Sequence, residues 1–307
     1  MKVVCLSGGV GGAKLVAGLH DVLAPGELTV IGNVGDDLEI LGLHVSPDLD
    51  SVLYALAGLN DMERGWGRKD ETWEALESAR AWGGESWFML GDRDLGLHLV
   101  RSQALASGKT LSAVTAGLTR AAGLETGLLP ATDDHVRTLV VTPAGTFAFQ
   151  EWFVARHHED EVDGLLYGGA DAAHPAPGVI EAIEEADAIV VAPSNPFVSI
   201  HPILAVPGIR EAIERRSVCC VAVSPLIGGR AVRGPLEGMM QRLTGGTSPA
   251  HVAMCYRGLL DLLVIDTADA DAETDGTVVV ADTLMADRAA ARRLARSTLE
   301  AAMEKQS

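Results

Sequence analysis

The sequence predicts an α/β protein, a doubly wound and mainly parallel sheet with an inserted helical and hairpin lid. Three observations carry that expectation. A buried-strand pattern runs into a glycine loop and an amphipathic helix at the start, and the same strand–helix rhythm returns after residue 178. Between them the periodicity is mainly helical, with one hairpin signal. On that division residues 1–45 and 178–307 form the core and 46–177 the lid.

Residues 2–6, apolar from Val3 onward, run up to the Ser7-Gly8 turn, the pattern of a fully buried strand. Behind the loop, Leu15, Val16, Leu19, Val22 and Leu23 recur at helical spacing, so 13–23 reads as a helix. Residues 28–31, entered through Ala24-Pro25-Gly26, complete a βαβ unit with parallel strands. From 48 to 122 the pattern is mostly helical: Val52, Leu53, Leu56 and Leu59 share a face, as do Leu95, His98, Leu99 and Ser102, and Leu111, Val114, Leu118 and Ala121. Runs 136–142 and 146–154 flank Pro143-Ala144-Gly145 and predict a hairpin. The rhythm then resumes as helix 179–186, strand 188–192, helix 209–215 and strands 218–223 and 262–266. A strand over 277–281 and a charged helix over 287–304 close the chain.

The 307 residues have room for one large α/β domain or two modest ones. Acidic residues number 42 against 24 basic ones, a net charge of −18 with neutral histidines. Such an excess excludes a general nucleic-acid surface, which needs clustered Lys and Arg. The 48% hydrophobic content excludes a disordered acidic chain. The N-terminal apolar run is too short for a signal core or a membrane span, which predicts a cytoplasmic protein with no membrane partner. Cys5, Cys219, Cys220 and Cys255 form no metal or redox spacing and are expected as small buried hydrophobes.

The chemistry-bearing residues fall in loops that follow strands. Ser7-Gly8-Gly9-Val10-Gly11-Gly12-Ala13-Lys14 opens a helix, where bare amides favour a phosphate or diphosphate. It fits neither the dinucleotide fingerprint, which fails at Lys14, nor the Walker loop, whose Lys-Ser/Thr ending is missing. Asn33-Val34-Gly35-Asp36-Asp37 follows the second strand, where paired carboxylates either hold a hard cation such as Mg²⁺ or cap the next element. Asp48 in Ser46-Pro47-Asp48-Leu49-Asp50 suits a helix cap, whereas Asp50 has no such need. Arg93, in Gly91-Asp92-Arg93-Asp94, and Arg101 carry guanidinium forks that match phosphate, with local Asp–Arg pairing as the alternative. Ser194 and Asn195, between prolines after a strong strand, can read a base or sugar edge or simply build a turn. In Gln150-Glu151-Trp152-Phe153 the two rings, read as strand residues, should face opposite ways, either one able to stack on a flat heterocycle. Nothing indicates a serine or cysteine nucleophile, a zinc site or a Schiff base. Glycines, carboxylates and arginines suit metal-assisted phosphoryl transfer.

Taken together, GGVGGAKL, NVGDD, SPDLDSVLYALAG, RGWGRKDETW, LGDRDLGLHLVRS, LLPATDD, FQEWFV, APSNPFVSIHPILAVPGIR, AVSPLIGG and ADTLM closely resemble the 2-phospho-L-lactate transferase family, CofD or FbiA. The resemblance implies a Rossmann-like core with a lid, usually a homodimer. It also implies Mg²⁺-dependent transfer of a phospholactyl or phosphoenolpyruvyl group from a guanosine diphosphate-linked donor to the ribityl hydroxyl of the deazaflavin Fo, releasing GMP, in coenzyme F-420 biosynthesis. Carried onto this sequence, Gly8, Gly9, Gly11, Gly12 and Lys14 contact the diphosphate, while Asp37 and Asp50, with Asp36, hold Mg²⁺ or orient the hydroxyl. Asp50 lies in the segment matching the Fo site, Asp92 and Arg93 are further substrate contacts, and Ser194 and Asn195 hold the guanosine. Met89 stands where the archaeal pattern often has Lys, so no lysine contact carries over there. The competing reading is a CofD-like regulator that binds a nucleotide sugar without turnover, and an NAD dehydrogenase is more distant.

Overall fold

Strand β1 (Val3–Ser7) is buried along its whole length and lies inside a seven-stranded sheet. The structure, a computed structural model, describes residues 1–274 and 276–306. Successive β1 side chains enter opposite cores: Val3 and Cys5 meet one helical layer, Val4 and Leu6 the other. Truncating one such fully buried residue, as in Leu6→Ala, costs roughly 2–5 kcal/mol.

Helix α1 (Gly9–Val22) leads to β2 (Leu28–Gly32), which pairs parallel with β1. A hairpin absent from the sequence expectation follows, β3 (Leu38–Ile40) and β4 (Leu43–Val45), turning through Leu41 and Gly42, both at positive φ. The helical stretch resolves into α2 (Pro47–Leu56), α3 (Glu74–Ala81), α4 (Asp92–Ala106) and α5 (Leu111–Ala121). Residues 57–73 form a loop with one isolated bridge, Asn60 to Arg68. Strand β5 (Gly127–Pro130) pairs parallel with β2, so the segment expected as lid also supplies an edge of the core sheet.

A separate antiparallel sheet, ordered β7-β6-β8, comprises β6 (Arg137–Thr142), β7 (Gly145–Ala148) and β8 (Gly164–Gly168). The second hairpin strand is therefore shorter than 146–154, and Glu151–Ala155 is instead a π-helical turn. Phe149, Trp152 and Phe153 are spaced i, i+3, i+4, a helical pattern that places these rings together rather than on opposite faces. Phe153 stacks on Phe149 at 5.4 Å, and buried Trp152 donates its indole N–H to the Asp160 carbonyl.

The second half alternates as expected: α6 (Val179–Glu184), β9 (Ala188–Val191), α7 (His201–Leu204), α8 (Ile209–Arg215) and β10 (Cys220–Val223). A short hairpin, β11 (Leu226–Ile227) with β12 (Arg230–Ala231), precedes α9 (Leu236–Thr244) and α10 (Pro249–Cys255). β13 (Leu262–Asp266), β14 (Val278–Ala281) and α11 (Arg288–Gln306) complete the chain. All four cysteines are unbridged, and three are fully buried.

The sheet runs β14-β13-β10-β9-β1-β2-β5, with every neighbouring pair parallel. Helices α1, α2 and α11 cover one face, and α6 to α10 with the small antiparallel sheet cover the other. From β1 the chain builds outward to β2 and β5, then returns to build β9 onward on the opposite side. Ligands in such folds bind beyond the strand ends at that reversal, between β1 and β9.

Candidate active site

The β1–α1 loop and the β9–α7 connection meet at the reversal. Ser194 donates its hydroxyl to the Gly8 carbonyl at 2.7 Å, and its Oγ accepts the Gly8 N–H at 3.3 Å. A Cβ on Gly8 would strike Asp48 and Ser199, on Gly11 the Pro193 carbonyl, and on Gly12 the hydroxyls of Ser7 and Ser194. Internal packing alone thus requires three of the loop glycines. Gly9 differs: it has positive φ (+65°) and space around it. Its N–H donates to Asp48 Oδ1 at 2.7 Å, so a carboxylate from α2 already sits at the positive end of α1.

The turn after β2 gathers acids around this point. Asn33 Nδ2 donates to Asp48 Oδ2 at 2.9 Å and to the Val198 carbonyl at 3.0 Å, which locks α2, β2 and the β9 loop together. Burial, and next the Asp48 charge, push the Asp36 carboxyl well above the usual carboxylate range. Burial also lifts Asp48, to about 6, against the bonds from Asn33 and Gly9. Asp37 Oδ2 accepts from Ser46 Oγ at 2.8 Å and meets His44 Nε2 at 2.9 Å. Asp36 Oδ1 and Asp37 Oδ1 are buried without a hydrogen-bond partner. Such orphaned carboxylate oxygens are costly unless a ligand completes them.

Asp50 lies in a different setting. Both its oxygens are held by the Arg101 guanidinium, one at 3.0 Å. His98 lies 3.8 Å from Asp50 and 3.3 Å from Asp94, which also accepts the Tyr54 hydroxyl. Burial opposes ionisation of Asp94, but His98, Tyr54 and Arg101 bring it below its ordinary value. On α4 the buried face is therefore His98 and Arg101, whereas Leu99, expected on that face, is exposed.

The remaining expected site residues are dispersed. Asp92 caps α3, accepting from the Thr72 hydroxyl and the Glu74 and Ala75 amides, and the Thr72 bond leads in lowering its pKa. The Arg93 side chain is half-exposed, 4.0 Å from Asp70. Asn195 Oδ1 accepts the Phe197 N–H, leaving Nδ2 near Met239 Sδ at 3.4 Å. Lys14 points away from the acids: its Nζ donates to the Met285 carbonyl and it lines a cavity of about 670 Å³ between α1, the 60–70 loop and the start of α11.

Among the described residues no three His, Cys, Asp or Glu side chains converge as a complete metal site. The orphaned oxygens of Asp36 and Asp37 nevertheless fit a hard cation of the Mg²⁺ kind, which takes one or two carboxylates and completes its shell with water and substrate phosphate. Asp50 does not fit as a ligand, because both its oxygens are committed to Arg101.

Three participants escaped the sequence reading. Asp48 was expected as a cap for its own helix but binds the α1 amide instead, 39 residues earlier. For Arg101 the expectation is a phosphate or a local aspartate, whereas its partner Asp50 lies 51 residues away. Tyr54 carried no signal beyond helical spacing.

No helix among the described residues is long and apolar enough to cross a membrane. In solved structures, a UPF0052 family protein from Bacillus halodurans is similar in fold, with a TM-score of 0.63 at 17% identity, covering 97% of this chain and 99% of that one. Two proteins named phosphoenolpyruvate transferase, from Thermobifida fusca and Streptomyces griseus, are each 44% identical to it across 99% of this chain and 98% and 99% of their own. The family model described as 2-phospho-L-lactate transferase CofD matches residues 3–302, and the chain belongs to that transferase family.

Proposed function

We propose that the protein transfers a phosphoenolpyruvyl group from an enolpyruvyl-diphosphoguanosine donor to the ribityl hydroxyl of the deazaflavin Fo, with GMP leaving, in coenzyme F-420 biosynthesis. The observation that carries this reading is the end-to-end match to relatives named phosphoenolpyruvate transferase, which favours the enolpyruvyl over the lactyl donor. The regulator reading is supported by fold likeness alone. As implied by the family resemblance, the enzyme works as a cytoplasmic homodimer.

The geometry supports a division of labour. The α1 N-terminus, beyond the Gly9 amide that Asp48 takes, and the Lys14 ammonium attract the donor's diphosphate, and Asn195 Nδ2, which otherwise meets Met239 Sδ, turns to the guanosine. Asp36 and Asp37 would hold Mg²⁺, which when bound neutralises phosphate charge and eases loss of GMP. Asp48, lifted to about 6, is the carboxylate best matched to accept the ribityl hydroxyl proton. Asp50, held by Arg101, fixes α2 and so places Asp48, two residues away on the same helix.

The test is product mass spectrometry after incubating the protein with Fo, Mg²⁺ and each purified donor in turn. Enolpyruvyl product supports the proposal, lactyl product alone transfers it to the other donor, and no product from either overturns it. Chelation of Mg²⁺ should abolish turnover and weaken donor binding.

A further inference from the structure

Arg233 sits in the connection between β12 and α9, where neither the sequence motifs nor the reading above gives it work. Its Nη1 donates to the Arg64 carbonyl at 2.7 Å, across 169 residues of chain. The guanidinium lies so close over Gly65 that a Cβ there would collide with it. Arg233 therefore straps a core connection onto the 61–65 turn, and Asp61, Met62 and Glu63 of that turn line the cavity whose opposite wall carries Lys14.

The electrostatics of this strap are unusual for a chain with a net charge of −18. Among the described residues Lys14 and Arg233 each donate to a carbonyl oxygen, and neither is held in an ion pair. Burial lowers the Lys14 pKa, and the Arg233 charge lowers it further, so the two cations disfavour each other. Carbonyl dipoles do not neutralise such a pair. An oligoanion with oxygens for both does, and a guanidinium fork suits phosphate oxygens particularly well.

We propose that Arg233 is a second anion-binding residue, which with Lys14 grips the diphosphate of the donor and holds the 61–65 turn across it. The proposal rests on the diphosphate-linked donor of the preceding reading. It differs from a purely structural strap, which would tie the turn down without regard to ligand charge.

Calorimetric binding of inorganic pyrophosphate, GDP, GMP and guanosine to wild type, Arg233→Ala and Arg233→Lys separates the possibilities. Arg233→Ala should weaken pyrophosphate and GDP roughly tenfold or more, as for loss of a charged hydrogen bond. GMP should suffer less and guanosine not at all, and Arg233→Lys should recover part of the loss. Unchanged pyrophosphate and GDP affinity in Arg233→Ala would overturn the proposal, and so would an equal loss for guanosine and GDP, which marks a strap alone. If wild type binds pyrophosphate in an Arg233-dependent way but does not prefer GDP over ADP, the anion site stands and the guanosine donor falls.

Discussion

At the turn after β2, Asp36, Asp37 and Asp48 are buried among Asn33, Ser46, His44 and the Gly9 amide, and two of their oxygens have no partner. Between α2 and α4, buried Asp50 and partly buried Asp94 are matched by Arg101, His98 and Tyr54. The first arrangement is electrostatically incomplete and needs something from outside. The second is closed in charge, its acids facing Arg101 and His98 although His98 Nε2 and Arg101 Nε make no hydrogen bond, so its acids serve to hold two helices in register. Burial of an aspartate says little about function until its partners are counted.

The sharpest way to break this contrast is to unpair the closed group. Arg101→Ala leaves Asp50 buried beside only a histidine and should cost about 3–5 kcal/mol in urea denaturation. Replacing both partners, as Asp50→Leu with Arg101→Met, should recover most of that loss, because no uncompensated charge remains. A small effect of Arg101→Ala would mean that the network is not closed as described.

The two groups should also respond oppositely to pH. Asp48 has a folded pKa of about 6, above its unfolded value of about 3.9, so the folded state holds more protons between the two. Its contribution to stability therefore falls as pH rises from about 4 to about 6, by on the order of 3 kcal/mol, then stays level. Asp36 shifts in the same direction. Asp94, lowered in the fold, contributes stability above the unfolded pKa and loses it as pH falls through its folded value. Denaturation midpoints across pH 3–8 should show Asp48→Asn flattening the limb between about 4 and 6, and Asp94→Asn flattening the most acidic limb. The same shape in both variants would erase the distinction.

How far these groups could be read in advance follows from where their partners lie. The β1–α1–β2 unit was plain because an apolar run, a glycine turn and a helical repeat are local signals. The β3–β4 hairpin was hidden by strands of three residues each, and the turn containing Trp152 by treating Phe149, Trp152 and Phe153 as a strand. Asp36 and Asp37 stood out as adjacent acids after a strand. Asp48 as the α1 cap and Arg101 as the mate of Asp50 depend on contacts 39 and 51 residues apart, which no local pattern encodes. The glycine loop misled in another way: Gly8, Gly11 and Gly12 are demanded by close packing of the protein against itself, so glycine there does not by itself signal an open cradle.

A smaller effect tests whether the open group is strained for function. Asp36→Asn removes a charge that burial and Asp48 disfavour, so without Mg²⁺ it should raise stability at pH 7.5 by roughly 1–2 kcal/mol. The same variant should lose at least about tenfold in Mg²⁺-dependent transfer if Asp36 helps hold the ion. Stabilisation with unimpaired transfer would leave Asp37 and Asp48 as the working acids, and destabilisation would place Asp36 with the closed group.

The smallest expected effect concerns Asp92 and Arg93, adjacent in sequence but assigned to different work. Asp92 accepts three hydrogen bonds that begin α3, so Asp92→Ala should cost about 1 kcal/mol of stability and leave donor affinity unchanged. Arg93, with its side chain 55% exposed and only a 4.0 Å approach to Asp70, should change stability by less than about 0.5 kcal/mol when replaced by Ala. Any loss of substrate affinity in Arg93→Ala would then report a contact with ligand rather than damage to the fold. Thermal melts and donor titrations on the two variants read these outcomes separately. An affinity loss confined to Asp92→Ala would show that the α3 cap shapes the binding surface, and the role assigned to Asp92 would have to extend from the helix to the ligand.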